Sequence, residues 1–255
     1  MDKVLIIRRF GGFGDALVHR QIIRDVGLAY DAPVAFACPI RFHPILSDHP
    51  YISELIDYDE VQPFDYSLVF DTSDVCARTE VAHLQRGQQV PQRADIWAAQ
   101  CGVILTDYDP HFRWAESELE QARATLGDCG CLFCPVSAND RKDLDQVQRE
   151  FLFEVLDRAG YRPRVLHHQP LGLPQFSPMK IRQWMALIAV APLVVGVDSS
   201  QVHMAGLARV PQVAIFKIHP GKVVTKHYTH CEVIQTTYGL DALAVLRAIE
   251  KALQP

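Results

Sequence analysis

An α/β chain built on parallel sheets is the fold class this sequence predicts, and three observations predict it. Short apolar runs alternate with helical stretches along the 255 residues, the pattern of strands joined by helical crossovers. The chain opens on one such run from Lys3, followed by glycines at Gly11, Gly12 and Gly14 and then Asp15. Another run, Leu193 to Val197, ends on Asp198-Ser199-Ser200 ahead of a helical stretch that stops before Pro211. Both are strand-to-helix junctions, which aim unpaired backbone N–H groups and the positive end of a helix dipole at one place.

Taken in order, the first half reads as a strand, the glycine-rich turn, and a helix opened by Asp15. Glycines in that turn let the backbone approach a ligand without a Cβ in the way. A strand at Val34 to Pro39, a short helix from Arg41, and strands at Glu54 to Tyr58 and Tyr66 to Asp71 follow. Helices are expected at Ala94 to Gly102 and at Glu116 to Leu126, the latter closed by Gly127. The domain boundary belongs between Arg113 and Gly130, which divides the chain into 1–118 and 119–255.

The second half repeats the alternation. Leu132 to Val136 and Arg164 to His168 read as strands around a helix from Asp143 to Ala159. Ser177 as cap and Pro178 at the first position predict the next helix. Strands at Leu193 to Val197 and Val213 to Phe216 flank the second junction, and a final helix, Leu240 to Leu253, carries Leu243, Leu246 and Ile249 on its apolar face.

Several function classes are set aside at this stage. A dinucleotide fingerprint fails, because Gly12-Phe13-Gly14 has no third glycine and the next strand ends in Cys38-Pro39 rather than an acidic residue. A formal net charge of −5 with scattered Lys and Arg gives no basic surface for nucleic acid. Seven cysteines include Cys129, Cys131 and Cys134, but a second paired half is missing, and alternation along a strand puts Cys131 and Cys134 on opposite faces. They are read as core thiols, and no metal is expected. The start of the chain is a charge-flanked strand rather than a secretory signal, and the apolar run Trp184 to Val197 is interrupted by Pro192 and too short to span a bilayer. A cytoplasmic protein is expected.

Taken alone, the second junction is read first as a helix capped by Ser199 or Ser200 with a half-buried His203, and only second as an anion site. The first junction changes that balance. Together they resemble glycosyltransferase family 9, the heptosyltransferases of lipopolysaccharide synthesis. Gly14-Asp15 matches the Gly-Asp that ends the family's first loop. Asp198-Ser199-Ser200-Gln201-Val202-His203-Met204-Ala205, with Val210-Pro211 beyond it, is similar to the family's Asp-Ser/Thr-Gly-x-x-His-x-Ala signature. Between them CPVSANDRK, Cys134 to Lys142, resembles the strand and loop that carry a hydroxyl residue and a phosphate-binding Lys, here Ser137 and Lys142. The chain departs from the family at Ser200, Arg209 and Lys217, each where Gly is usual, and is shorter between Asp71 and Ala94.

The resemblance implies a GT-B architecture, two Rossmann-like domains facing across a cleft, with the acceptor on the first and a nucleotide sugar on the second. It implies transfer of a heptose-like sugar from a nucleoside diphosphate donor, an ADP-sugar favoured, to a hydroxyl of a glycan or glycolipid, with inversion and without a metal or other cofactor. Any peripheral membrane contact would come through that acceptor. Asp15 is then the catalytic base. Gly12 and Gly14 beside it, together with Ser137, Lys142, Asp198, Ser199, Ser200 and His203, are the substrate-binding set, with Lys142 and the helix start stabilising the leaving diphosphate. Asp198 is read as orienting Lys142, a loop amide or a sugar hydroxyl. Lys217, His219 and Lys222, after what is read as the last strand, are assigned to a solvated loop. A non-catalytic nucleotide or nucleotide-sugar binding protein is the alternative, and a different two-domain transferase or epimerase acting on a nucleotide sugar is kept as a further class.

Overall fold

The computed structural model describes residues 3–237 and 239–254. The chain forms two compact units, residues 1–113 and 114–255. The division precedes the first helix of the second unit rather than cutting it at residue 118.

The first unit comprises β1 (Val4–Ile7), α1 (Phe13–Tyr30), β2 (Val34–Cys38), α2 (His43–Leu46), β3 (Ile52–Asp57), β4 (Leu68–Asp71), α3 (Val75–Gln85) and α4 (Arg93–Gln100). Its strands form a parallel sheet in the order β3-β2-β1-β4. β1 and β2 are buried along their whole length, as continuous apolar runs must be when both faces of a parallel sheet are covered. α1 is unusual in burying His19, Arg20, Gln21 and Asp25. A chain segment explains it. Arg20 Nε donates to Pro110 O at 2.8 Å and Gln21 Nε2 to Tyr108 O at 2.7 Å, while Asp25 Oδ2 accepts from Thr106 N at 2.6 Å. Arg20 also bonds Asp48 Oδ1 at 2.7 Å, so each of these buried side chains has a polar partner, although Gln21 Oε1 makes no hydrogen bond, and much of the desolvation cost is offset.

The second unit comprises α5 (Glu116–Leu126), β5 (Cys131–Cys134), α6 (Gln146–Arg158), β6 (Pro163–Val165), α7 (Ile181–Ala189), β7 (Val194–Val197), α8 (Ser200–Leu207), β8 (Gln212–Phe216), α9 (Gly221–Val224), β9 (Cys231–Gln235) and α10 (Ala242–Ala252). The sheet is again parallel, in the order β6-β5-β7-β8-β9. One face packs Phe133, Val165, Val195, Val197, Val213 and Ile215 against Leu152, Leu156, Val245 and Ile249 of α6 and α10. Close approach of β5 and β7 requires Gly196, where a Cβ would stand 2.8 Å from Cys134 Cβ and 3.0 Å from its carbonyl. Cys129, Cys131 and Cys134 are buried free thiols, and burial pushes the Cys131 and Cys134 thiols up.

Four expectations are corrected. Ser177 and Pro178 do not open a helix; α7 begins at Ile181, where Gln183 Oε1 accepts from Lys180 N at 3.1 Å. α6 begins at Gln146, because Asp145 caps it through Gln148 N at 2.8 Å. The buried stripe of α10 is Val245, Ile249 and Ala252, while Leu243 points outward, 53% exposed. β8 is not the last strand, since β9 pairs beside it. Asp71 to Ala94 also holds a helix that the sequence reading left out, α3.

In each sheet the strand order reverses once. Crossovers leave in opposite directions on either side of the gap between β1 and β4 in the first unit, and between β5 and β7 in the second. Such switch points open a crevice at the carboxyl ends of the strands, where ligands bind in open α/β sheets.

Candidate functional site

The loops that leave β5 and β7 meet at the second switch point. Lys142, in the loop after β5, lies with Nζ 2.8 Å from Asp198 Oδ2, at the end of β7. Asp198 is buried and its backbone N–H bonds Ile215 O at 3.0 Å, so the carboxylate is fixed by the sheet. Ser199 is the N-cap residue of α8 by backbone geometry, yet its side chain makes no cap bond, and its buried Oγ has no hydrogen-bond partner. A helix start with an ammonium beside it and an unspent buried hydroxyl is a place prepared for an anion.

The loop after β5 is rigidified locally. Asp143 Oδ1 accepts from Ser137 N at 2.6 Å and lies 3.0 Å from Ser137 Oγ, and Asn139 Oδ1 accepts from Arg141 N at 3.2 Å. Lys217, at the end of β8, is not a solvated side chain. It donates to Asp143 O and lies 3.4 Å from Gln148 Oε1, clamping the Lys142 loop from β8, two strands across the sheet from β5. His219 Nε2 stands 3.9 Å from Asp198 Oδ2 with its side chain 39% exposed, so it lies at the solvent edge of the cluster. Lys222 is exposed on α9, as expected.

Ser137, Lys142, Asp198, Ser199 and Ser200 are thus brought to one switch point. Ser200 Oγ lies 3.3 Å from Gln201 Oε1. His203 is half-buried and has a partner within its own unit. Its Nδ1 is 2.8 Å from the hydroxyl of Tyr228, a buried residue whose ring packs so closely on α8 that a Cβ at Gly206 would stand 2.3 Å from it. Burial raises the Tyr228 phenol well above its usual range, so it stays protonated and fixes the imidazole. A cavity of about 290 Å³ elsewhere in this unit, lined by Glu118, Arg164, Phe176, Met179 and Arg182, shares no residue with the cluster.

At the first switch point the turn after β1 is Gly11-Gly12, and Gly14 lies within the first turn of α1. Gly11 has φ +128°, and a Cβ there would stand 2.5 Å from Arg8 Nη2 and 2.8 Å from Asp15 Oδ2. Asp15 is held on both oxygens. Oδ2 accepts from Arg8 Nη2 at 3.1 Å and Gly12 N at 3.2 Å, and Oδ1 accepts from Arg93 Nη1 at 2.6 Å. Burial alone would raise the Asp15 pKa, but the Arg93 and Arg8 charges and the Gly12 amide outweigh it and bring it to about 2. His19, one turn further along α1, donates from Nδ1 to Asp15 O at 2.9 Å, and its Nε2 lies 3.0 Å from Thr72 Oγ1. Burial and the Arg8 charge hold it down to about 3, so it is neutral.

Arg8 and Arg93 were missed by sequence reasoning, as were Lys217 and His219 as site members. Arg8 leaves a faint signal, a charge closing an apolar strand. Arg93 leaves none, since it reaches Asp15 across 78 residues of chain.

Among the described residues no helix is long and apolar enough to cross a membrane, and no three His, Cys, Asp or Glu side chains converge as a metal site. No protein-family model matches the sequence, and no curated protein matches it. Solved structures share the fold. The chain is similar to the ADP-heptose lipopolysaccharide heptosyltransferase II of E. coli, with 16% identity, 98% of each chain covered and a TM-score of 0.75. It is similar to a glycosyl transferase family 9 protein of Veillonella parvula, with 15% identity, 99% of this chain and 97% of that one covered, and a TM-score of 0.75. The E. coli heptosyltransferase WaaC, solved with ADP, matches at 16% identity over 98% of this chain and 99% of its own, with a TM-score of 0.69. The shared architecture is that of GT-B glycosyltransferases.

Proposed function

We propose that this chain is a glycosyltransferase of the family 9 kind, which moves a heptose-like sugar from a nucleoside diphosphate sugar to a hydroxyl of a glycan or glycolipid. The observation that carries this reading is the Lys142 ammonium held by Asp198 at the uncapped start of α8, with the Ser199 hydroxyl unspent beside it. The two GT-B neighbours from E. coli add support, one named for ADP-heptose and the other solved with ADP, which favours an ADP-sugar as donor.

Charge dictates the division of labour. Glycosyl transfer develops positive charge at the anomeric carbon and negative charge on the departing diphosphate, so donors aimed at the diphosphate lower the barrier. Lys142, the α8 amides and the Ser199 and Ser200 hydroxyls fill that role and stand in for a divalent cation. Asp198 beside a diphosphate would be repelled by it, so its work is to hold Lys142, and His219 when protonated. In the first unit Asp15 accepts the proton of the acceptor hydroxyl as that oxygen attacks the anomeric carbon from the side opposite the leaving group, which inverts the centre. The first unit is then the acceptor side and the second the donor side, and the enzyme would work in the cytoplasm.

A second reading has an observation of its own. Both Asp15 oxygens are engaged by guanidinium groups, as they would be in a protein that binds a nucleotide sugar without transferring it. Product analysis separates the two. Incubation with ADP-, UDP-, GDP- and CDP-sugars and a hydroxyl acceptor should release one nucleoside diphosphate and form one glycoside of inverted configuration. Binding without turnover for every donor would leave only the second reading.

A further inference from the structure

Resting on the transferase reading, we propose that Arg93 is a positioning residue that leaves Asp15 Oδ1 as the one proton-accepting oxygen and sets its basicity. The two carboxylate oxygens are not equivalent. A carboxylate oxygen offers two lone-pair sites, and Oδ2 spends both, on Arg8 Nη2 and Gly12 N. Oδ1 has a single bond, to Arg93 Nη1 at 2.6 Å, which leaves one lone pair for an acceptor hydroxyl. The proton therefore has to arrive at the oxygen that Arg93 holds.

The two guanidinium groups differ in freedom as well. Arg8 is 6% exposed and its Nη1 is tied to Thr72 O at 3.1 Å and Ser73 O at 3.3 Å, so it is locked to the end of β4. Arg93 is 40% exposed and shared, because its Nε also donates to Glu80 Oε1 on α3 at 2.9 Å, with Nη2 3.5 Å from Oε2. Glu80 gives Arg93 a second carboxylate when Asp15 loses its charge. In the step, the acceptor O–H bond breaks and Oδ1–H forms, the acceptor oxygen bonds to the anomeric carbon, and the bond from that carbon to the diphosphate oxygen breaks with its electron pair. Neutral Asp15 then releases Arg93 toward Glu80, and return of Arg93 favours loss of the proton to solvent for the next turnover.

The charged and titratable groups that face Asp15 are Arg8 from the end of β1, Arg93 from α4, His19 from α1, and Cys76 and Glu80 from α3. Of these, Arg93 is the cation with both exposure and an alternative partner. Two variants test its role, Arg93→Met, which removes the cation, and Arg93→Lys, which keeps the charge but loses the fork. The Asp15 carboxyl carbon is titrated by NMR in the full-length protein, and the pH dependence of kcat/KM is measured with the donor that the wild type uses. In Arg93→Met the Asp15 midpoint should rise by at least one pH unit. The acid limb of kcat/KM should move up with it, and kcat should fall about tenfold or more, because the loss of a held carboxylate geometry outweighs the gain in basicity, with KM for the donor unchanged. Arg93→Lys should recover part of both. An Asp15 midpoint that stays where it is in Arg93→Met overturns the proposal, whatever the activity. A midpoint that rises in a protein that transfers no sugar from any donor supports the tuning by Arg93 and overturns instead the transferase reading on which its catalytic use rests.

Discussion

The two strand-to-helix junctions are built alike and finished differently. Each follows a buried parallel strand, each starts a helix, and each sits where its sheet's strand order reverses. At the first, Asp15 bonds back to the Gly12 amide and is neutralised by Arg8 and Arg93. At the second, Ser199 forms no cap bond, its hydroxyl stays unpaired, and the Lys142 ammonium waits beside the helix start. The same local architecture therefore carries a satisfied anion of its own in one half and an unpaired hydroxyl beside an ammonium in the other. A buried polar atom left without a partner costs about 1–3 kcal/mol, which a bound phosphate oxygen would recover.

Asp15→Asn should break the first junction most severely. Transfer should fall by about 10²- to 10⁴-fold, the range for loss of a general base, while nucleoside diphosphate affinity measured by calorimetry stays within a factor of two or so, on the rule that well-separated sites act independently. Equal loss of both would show that Asp15 serves binding. Lys142→Met should do the converse, weakening nucleoside diphosphate binding by roughly 10- to 100-fold, the worth of one charged hydrogen bond. Unaltered affinity would remove Lys142 from the site.

Acid should separate the two halves. His19 and His49 are held down to about 3, by burial and by the Arg8 and Arg20 charges respectively, whereas in the unfolded chain they titrate near 6.5. The unfolded state thus binds more protons between those values, and the stability they allow is intact above about pH 6.5 and drains away as pH falls toward 3. Asp15, lowered from 3.8 to about 2, has the same sign. Its stabilisation is complete above about pH 4 and is lost as pH falls through 2. All three lie in the first unit. Hydrogen exchange should therefore show residues 3–113 losing protection before residues 114–254 as pH is lowered from 7 to 4, and the reverse order would contradict this assignment.

Gly196→Ala should force β5 and β7 apart at Cys134 and lower unfolding free energy by about 1–3 kcal/mol, read from denaturant midpoints.

What was legible in the sequence is what local periodicity encodes. The runs at Val4, Val34, Leu132, Leu193 and Val213 became buried strands because a parallel strand covered on both faces is apolar throughout. β9 escaped notice because it is only half-buried at the sheet edge, and α3 because it buries no more than Val75 and Cys76. Leu243 was placed on the wrong face of α10 because the helix packs through Val245, Ile249 and Ala252, a stripe that composition alone does not single out. Lys142 and Asp198 could be paired from sequence as types and positions. The guanidinium groups on Asp15 could not, since Arg93 arrives through the packing of α4 on α1.

Thermal denaturation with nucleoside diphosphates tests the central claim most directly, that Lys142, Asp198 and the start of α8 form a diphosphate site. ADP should raise the Tm of the wild type in a concentration-dependent way and should fail to do so at the same concentrations in Lys142→Met. Tm values left unmoved by saturating ADP, UDP, GDP and CDP, or raised equally in both proteins, would contradict it.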